Sequence, residues 1–150
     1  MTLYATGTVV PADRSRAEIE RVLTRYKATG FMYGWQDARA LIAFEMENRR
    51  VKFLLPMPDK LATSRTPKGR RRRGAAAVQA YDQEVRRRWR ALALAVKAKL
   101  EVVASGIVNF DEEFMPYIVM PDGKTVAEHV QQSIAEAYST GKMKALLPSF

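Results

Sequence analysis

The apolar positions of this chain fall into two helical patterns with a block of alternating positions between them. In the first pattern, apolar residues recur at steps of three and four, as a single helix face requires. They are Ile19, Val22, Leu23 and Tyr26. The pattern predicts a first helix over about 16–28.

Local signals set the limits of this helix. Ser15 and Glu18 have the spacing of a capping box, and Gly30 is a residue typical of the position after a helix end. Residues 3–10 contain β-branched side chains in weak alternation and precede Pro11. We expect a short strand or extended arm over 3–10 that Pro11 ends.

Three short segments then alternate with the period of a strand, over 31–35, 40–46 and 50–55. Turn residues separate them at 36–39 and 47–49. In each segment every second residue is apolar, so one face of the resulting sheet can be buried. The pattern predicts an antiparallel meander of three strands.

The second helical pattern is the stronger one. Its apolar residues again follow at steps of three and four: Val78, Tyr81, Val85, Trp89, Leu92, Val96, Leu100 and Val103. They predict a helix over 75–104, which at 1.5 Å per residue is about 45 Å long. A helix of this length can cover the sheet or pair with a copy of itself.

The C-terminal third contains shorter elements. A capping box at 109–112 predicts a short helix that Pro116 ends, and 117–120 can form a fourth strand. A turn at 121–124 leads to a last amphipathic helix that ends near Gly141. The fold class expected is therefore α+β. It is a single domain over 1–150, with a three- or four-stranded antiparallel meander packed under a long helix, C-terminal helices, and a loose tail over 142–150.

Charge changes this picture at one place. The net charge is +9, and 16 of the 25 basic residues are Arg. Residues 1–104 carry 22 Lys and Arg against 10 Asp and Glu, whereas 105–150 carry 3 against 6. Residues 56–74 hold seven basic residues against Asp59 alone, with three prolines and two glycines. We expect this segment to be a flexible basic loop whose charge meets a polyanion.

The chain lacks the residues that several kinds of metal and catalytic site require. The chain has no Cys and one His, which excludes a thiolate metal site and a cysteine nucleophile. His129 on an amphipathic helix is most often a surface or packing residue. The acidic run at 111–113 is explained by its place in a helix first turn. The sequence predicts no catalytic residue, metal site or cofactor, and favours a non-catalytic protein over an enzyme.

The positive signal is a dense set of basic residues on the loop and the early turns of the second long helix. The predicted nucleic-acid-binding residues are Arg65, Lys68, Arg70, Arg71, Arg72, Arg73, Arg86, Arg87 and Arg90. Phe31, Tyr33 and Trp35 could stack on unpaired bases, but we favour a place in the core for them. No helix-turn-helix, zinc finger or RNA-recognition pattern accompanies the basic set.

Several runs of the sequence, and its predicted order of elements, resemble known groups of proteins. The runs 15–20, 31–35, 51–58, 89–101 and 120–125 resemble a group of small proteins encoded by bacteriophages and prophages, to which no activity is assigned. The predicted order of elements, a helix, three strands and a long helix, also resembles the core of phage single-strand-annealing proteins. The resemblance implies a role in phage DNA replication or recombination, and it transfers no functional residues.

We therefore expect a phage-type accessory protein that binds nucleic acid largely without sequence preference. The alternative is an interaction or anti-defence protein that docks on a host or phage protein through the same basic surface. No apolar run approaches the roughly 20 residues that span a bilayer, and the N-terminus is not typical of a signal peptide. We expect no membrane partner and a location in the host cytoplasm. The sequence does not distinguish DNA from RNA, or single from double strands.

Overall fold

A three-stranded antiparallel sheet and two long helices form the centre of the protein. The computed structural model describes residues 3–147, and for 3–11 it describes only the course of the backbone. In chain order the elements are α1 (Leu3–Arg25), β1 (Gly30–Gln36), β2 (Arg39–Met46), β3 (Arg49–Pro56), α2 (Lys60–Thr63), α3 (Ala75–Ala104), α4 (Phe110–Phe114), a 3₁₀ turn (Met115–Tyr117) and α5 (Val126–Thr140). The predicted α+β class and single domain are confirmed.

The sheet is the predicted meander in the order β1-β2-β3. Its register aligns Tyr33 with Ile42 and Ile42 with Phe53, so the apolar positions of all three strands share one face. This face forms one core with α1 and α3. On the opposite face of the central strand, Leu41 and Ala43 are also buried, although they do not belong to this core.

Both hairpin turns are two residues long and left-handed. Asp37 and Ala38 have φ of 50° and 60°, and Glu47 and Asn48 have φ of 53° and 58°. Positive φ at both central residues is the type I′ geometry that matches the twist of the flanking strands. Alanine adopts this region at a cost of about 1–2 kcal/mol, whereas asparagine enters it more readily.

We therefore expect Ala38→Gly to raise the free energy of unfolding by about 0.5–1 kcal/mol. Glycine removes the strain of a side chain at positive φ, and this gain exceeds the cost of the greater entropy of the unfolded chain. Urea denaturation followed by circular dichroism measures the change. Asn48→Gly, in the equivalent position of the second turn, is the matched control and should give a smaller gain. A loss of stability in Ala38→Gly would contradict the strain assigned to this turn.

The N-terminal prediction is wrong in both of its parts. Residues 3–10 are helical rather than extended, and α1 continues through Pro11 and Ser15, so Ser15 is not a helix cap. The β-branched residues favoured a strand, but local propensity is a weak preference that packing overrides. α1 packs along α3 with Ala12 fully buried. The helix continues through Pro11, although a proline removes one backbone hydrogen bond.

The end of α1 also differs from the prediction. Lys27, with φ of 67°, takes the left-handed position that the sequence suggested for Gly30. The Lys27 N–H donates to the Thr24 carbonyl at 3.1 Å and the Ala28 N–H to the Leu23 carbonyl at 2.9 Å, which is the Schellman pattern. Gly30 is instead the first residue of β1.

α3 has the predicted limits, and most of its predicted stripe lies in the core. Its buried residues are Tyr81, Val85, Trp89, Ala93, Val96 and Leu100. Val78 is the exception: it is 61% exposed, one turn before the first buried position. The stripe therefore contacts the rest of the protein only from the second turn of α3 onward.

The C-terminal elements follow the predicted order. Asn109 caps α4 by accepting from the Glu112 N–H, and Thr125 and Glu128 form a capping box at the start of α5. The proposed fourth strand is reduced to single bridges, one of them between Val51 and Ile118. α5 buries no residue, and Tyr138 is 90% exposed. Of the predicted tail, 142–147 is exposed and 148–150 lies outside the described residues.

Candidate nucleic-acid interface

The predicted basic loop contains a short hairpin. Residues 64–72, the basic hairpin from here on, follow α2 and precede α3. Arg65 and Arg71 form an antiparallel bridge, and the Thr66 N–H donates to the Arg70 carbonyl at 2.7 Å. Pro67 and Gly69 (φ 84°) form its turn. The flexibility of this loop stays a prediction, and the structure adds a defined local fold.

Arg72 has a structural role in this hairpin. Its Nη1 donates to the carbonyls of Thr63 at 2.8 Å and Arg65 at 3.0 Å. These carbonyls lie at and just beyond the end of α2, where helix carbonyls have no partner within the helix and a cation is favoured. Arg72 therefore connects the second arm of the hairpin to α2 and fixes the shape of the loop.

α2 in turn is fixed to α3. The Asp59 carboxylate accepts from the Leu61 N–H at 2.9 Å and caps α2. The Lys60 ammonium lies over the Tyr81 ring, 5.4 Å from its centroid. Because Tyr81 is buried in the core, this contact attaches the hairpin and its helix to the body of the protein.

The arginines of α3 divide into two groups. Arg86 and Arg90 are exposed one turn apart. Arg87 is held by Glu84, with Nε to Oε2 at 2.8 Å and Nη2 to Oε1 at 2.6 Å. Arg88 donates from Nε to Glu84 Oε1 at 3.0 Å and from Nη1 to the Pro56 carbonyl at 2.7 Å, so it connects α3 to the end of β3.

Glu84 is the acidic centre of this cluster. Hydrogen bonds from Arg87 and then Arg88 lower the pKa of its carboxyl from the ordinary 4.5 to about 2. A depressed folded-state pKa means that the ion pairs stabilise the fold fully above about pH 4.5. This stabilisation is lost as the pH falls through about 2.

We expect Glu84→Gln to lower the free energy of unfolding by about 0.5–1 kcal/mol at neutral pH, the range of partly exposed ion pairs. The difference from wild type should shrink as the pH falls from 4.5 towards 2. Urea denaturation at pH 7, pH 4 and pH 2.5 measures it. Glu101→Gln, on the same helix and without an ion pair among the described residues, should change little at any pH. A stability difference between wild type and Glu84→Gln that is the same at all three pH values would contradict the role given to the ion pairs of Glu84.

The basic hairpin and α3 enclose an open groove, called the basic groove below. Its volume is about 520 Å³. Arg65 and Arg72 line it from the hairpin, and Glu84 and Arg87 from α3. The fold thus brings two basic stretches that are separate in the sequence to the two sides of one groove. A second concavity of about 430 Å³, between α2 and the start of α3, is lined by Arg71, Arg72 and Arg73.

The nine predicted binding residues therefore fall into three groups according to the partners of their side chains. Arg72 is engaged with carbonyls and Arg87 with Glu84. The remaining seven are exposed, and in the part of the chain that the structure describes their side chains make no hydrogen bond or ion pair. They are Arg65, Lys68, Arg70, Arg71, Arg73, Arg86 and Arg90.

The aromatic residues considered for base stacking lie on the core face of the sheet. Tyr33 packs against Trp89, with ring centroids 5.7 Å apart, and the Arg16 guanidinium lies 4.4 Å from the Tyr33 ring. Phe31 also packs against the core, as favoured from the sequence. Trp35 is 37% exposed and contacts Tyr33 edge-on.

The other titratable candidates have structural partners. His129 Nε2 lies 2.8 Å from Asp122 Oδ2, which ties α5 to the turn that precedes it. The Lys124 N–H and His129 lower the pKa of the Asp122 carboxyl. In the acidic run, Asp111 forms a two-bond pair with Arg49, and Glu113 pairs with Lys99 at 3.3 Å.

Sequence reasoning missed two residues of the cluster. Glu84 and Arg88 were not among the predicted interface residues, yet Glu84 lies three and four residues before Arg87 and Arg88. Acidic and basic residues at these spacings face each other on a helix. The spacing could therefore have identified the pairs, whereas the internal role of Arg72 depends on the folded loop.

Across the described residues, no helix is both long and apolar enough to cross a bilayer. Comparison of the chain with protein-family models, with curated proteins and with solved structures finds no match in any of the three.

Proposed function

We propose that the protein binds nucleic acid through the phosphate backbone, largely without sequence preference. The observation that carries this proposal is a set of seven exposed basic side chains that have no acidic partner among the residues that the structure describes. They lie on the basic hairpin, at Arg73 and on α3. Contacts of Lys and Arg with phosphates release condensed counterions and supply most of non-specific affinity. They position a protein on nucleic acid but do not read base sequence.

The start of α3 adds a second argument. Gly74 precedes the helix without a side-chain cap, and the first turn contains no acidic residue. Arg70, Arg71 and Arg73 stand before this end, where basic charge opposes the helix dipole. This placement costs some stability, and an anionic ligand would offset that cost. A polyanion is therefore a better explanation of the cluster than a purely structural role.

The setting of this activity rests on two resemblances, to small phage and prophage proteins and, in the order of elements, to the core of phage single-strand-annealing proteins. They make phage DNA replication or recombination the process that we propose. The resemblances say nothing about which residues bind, so the choice of interface comes from charge and exposure alone.

Fluorescence anisotropy with labelled single- and double-stranded DNA of equal length tests the proposal. We expect saturable binding at about 50 mM salt, where phosphate contacts are strong. Absence of binding to both DNA forms and to RNA at this salt concentration would overturn it. A pull-down with and without nuclease adds a second readout, because protein partners that persist after nuclease treatment would point to a protein-docking surface instead.

A further inference from the structure

Glu84 occupies the position in the basic groove where a bound anion would contact arginine. Its two carboxylate oxygens accept both hydrogen bonds of the Arg87 fork, at 2.8 and 2.6 Å. Arg65 and Arg72 line the same groove from the hairpin. Arg72 uses Nη1 for its carbonyl contacts, and its Nε and Nη2 donate to no described residue. The groove therefore combines one internal anion with guanidinium groups from both sides.

The Arg87 contact is one that a phosphate can replace. A guanidinium fork binds carboxylate and phosphate oxygens with the same two-bond geometry. The Arg87 side chain is 68% exposed and that of Glu84 is 25% exposed, so Arg87 can turn outward without leaving a buried charge. Glu84 would keep Arg88, which the Pro56 carbonyl already holds in place.

We infer that a backbone phosphate entering the basic groove replaces Glu84 as the partner of Arg87, so that Glu84 is a built-in competitor that limits affinity for nucleic acid. The inference rests on the proposed function and names one residue that regulates that site. It places the phosphate between Arg87 on α3 and Arg65 and Arg72 on the hairpin.

Glu84→Gln is the direct test, with DNA affinity measured by anisotropy over a series of salt concentrations. Releasing Arg87 should tighten binding roughly three- to tenfold at about 50 mM salt and leave the log–log salt slope nearly unchanged, because Arg87 contacts a phosphate in both complexes. Glu101→Gln is the matched control. It removes the same charge from the same helix about 25 Å away, beyond the Debye length of about 10 Å.

The outcomes separate this inference from the proposed function. Wild type that binds no nucleic acid removes the proposed function. A second outcome is that the wild type binds DNA but Glu84→Gln binds with the same affinity, more weakly, or with no more gain in affinity than Glu101→Gln. This outcome overturns the competitor role alone. The effect must also pass through Arg87, so Glu84→Gln should give no tightening in an Arg87→Ala background. Persistent tightening there would equally contradict the inference.

Discussion

Changing Lys68, Arg70, Arg71 and Arg73 together to alanine should weaken DNA binding on the order of 100-fold at about 50 mM salt. These four side chains are exposed and have no acidic partner among the described residues, so their charges are available to phosphates. The set leaves Arg72 in place, because its contacts with Thr63 and Arg65 maintain the hairpin. If all four contact phosphates, the log–log salt slope should become less negative by up to about 3.6.

The control must remove the same charge elsewhere. Arg21, Arg25, Lys124 and Lys142 are exposed and make no ion pair among the described residues. Their joint replacement by alanine should lower affinity only a few-fold, through net charge. Equal losses in the two quadruple variants would mean that binding follows total charge, and the assignment of the interface to the basic hairpin would fail.

Trp89→Ala should cost about 3–5 kcal/mol of unfolding free energy, the largest stability effect that we expect from one substitution. Trp89 is fully buried on α3 and packs against Tyr33 of β1, so it connects the helix to the sheet. Its removal leaves a cavity between these two layers. Urea denaturation followed by far-ultraviolet circular dichroism measures the loss.

Two further variants make this result specific. Leu94→Ala, one turn along the same helix but 61% exposed, should change stability by less than about 0.5 kcal/mol. Trp89→Phe should cost far less than alanine, because the indole N–H is buried without a partner among the described residues and its loss offsets part of the lost volume. A small cost for Trp89→Ala would show that α3 does not depend on this contact.

The central part of the fold could be predicted because its signals are periodic. Each strand alternates over at least five residues and each turn contains residues that tolerate its geometry, so all three strands were placed within one residue at each end. α3 repeats its apolar positions over many turns, which fixes its length and its buried face. Periodicity of this kind records burial directly, since it arises from one side of an element facing the core.

The errors concern the two ends of α1. Residues 3–10 have strand-like composition but are helical, in a helix that packs along α3. Lys27 closes α1 in a conformation that glycine would take more easily. A short window of sequence does not contain the packing of α1 along α3, and the conformation of Lys27 is accompanied by local backbone hydrogen bonds that its residue type does not indicate.

The sequence could locate the candidate site, but it could not show which of its basic residues have structural partners and which are available to a ligand. Charge density alone identified 65–90 as the basic region. It could not show that Arg72 supports the hairpin, that Arg87 is held by Glu84, or that the two stretches line one groove. The number of basic side chains available to a ligand is therefore smaller than the sequence count, and this number sets the expected salt dependence.

The salt dependence of DNA binding by the wild-type protein measures whether its basic side chains contact backbone phosphates. Five to seven of the available basic side chains in contact with phosphates predict a slope of log affinity against log salt between about −4.5 and −6.3 on duplex DNA. We expect a slope in this range, with affinity falling roughly 10³-fold between about 50 and 200 mM salt. An affinity that does not change with salt, or no binding at about 50 mM salt, would contradict the proposed binding to the phosphate backbone.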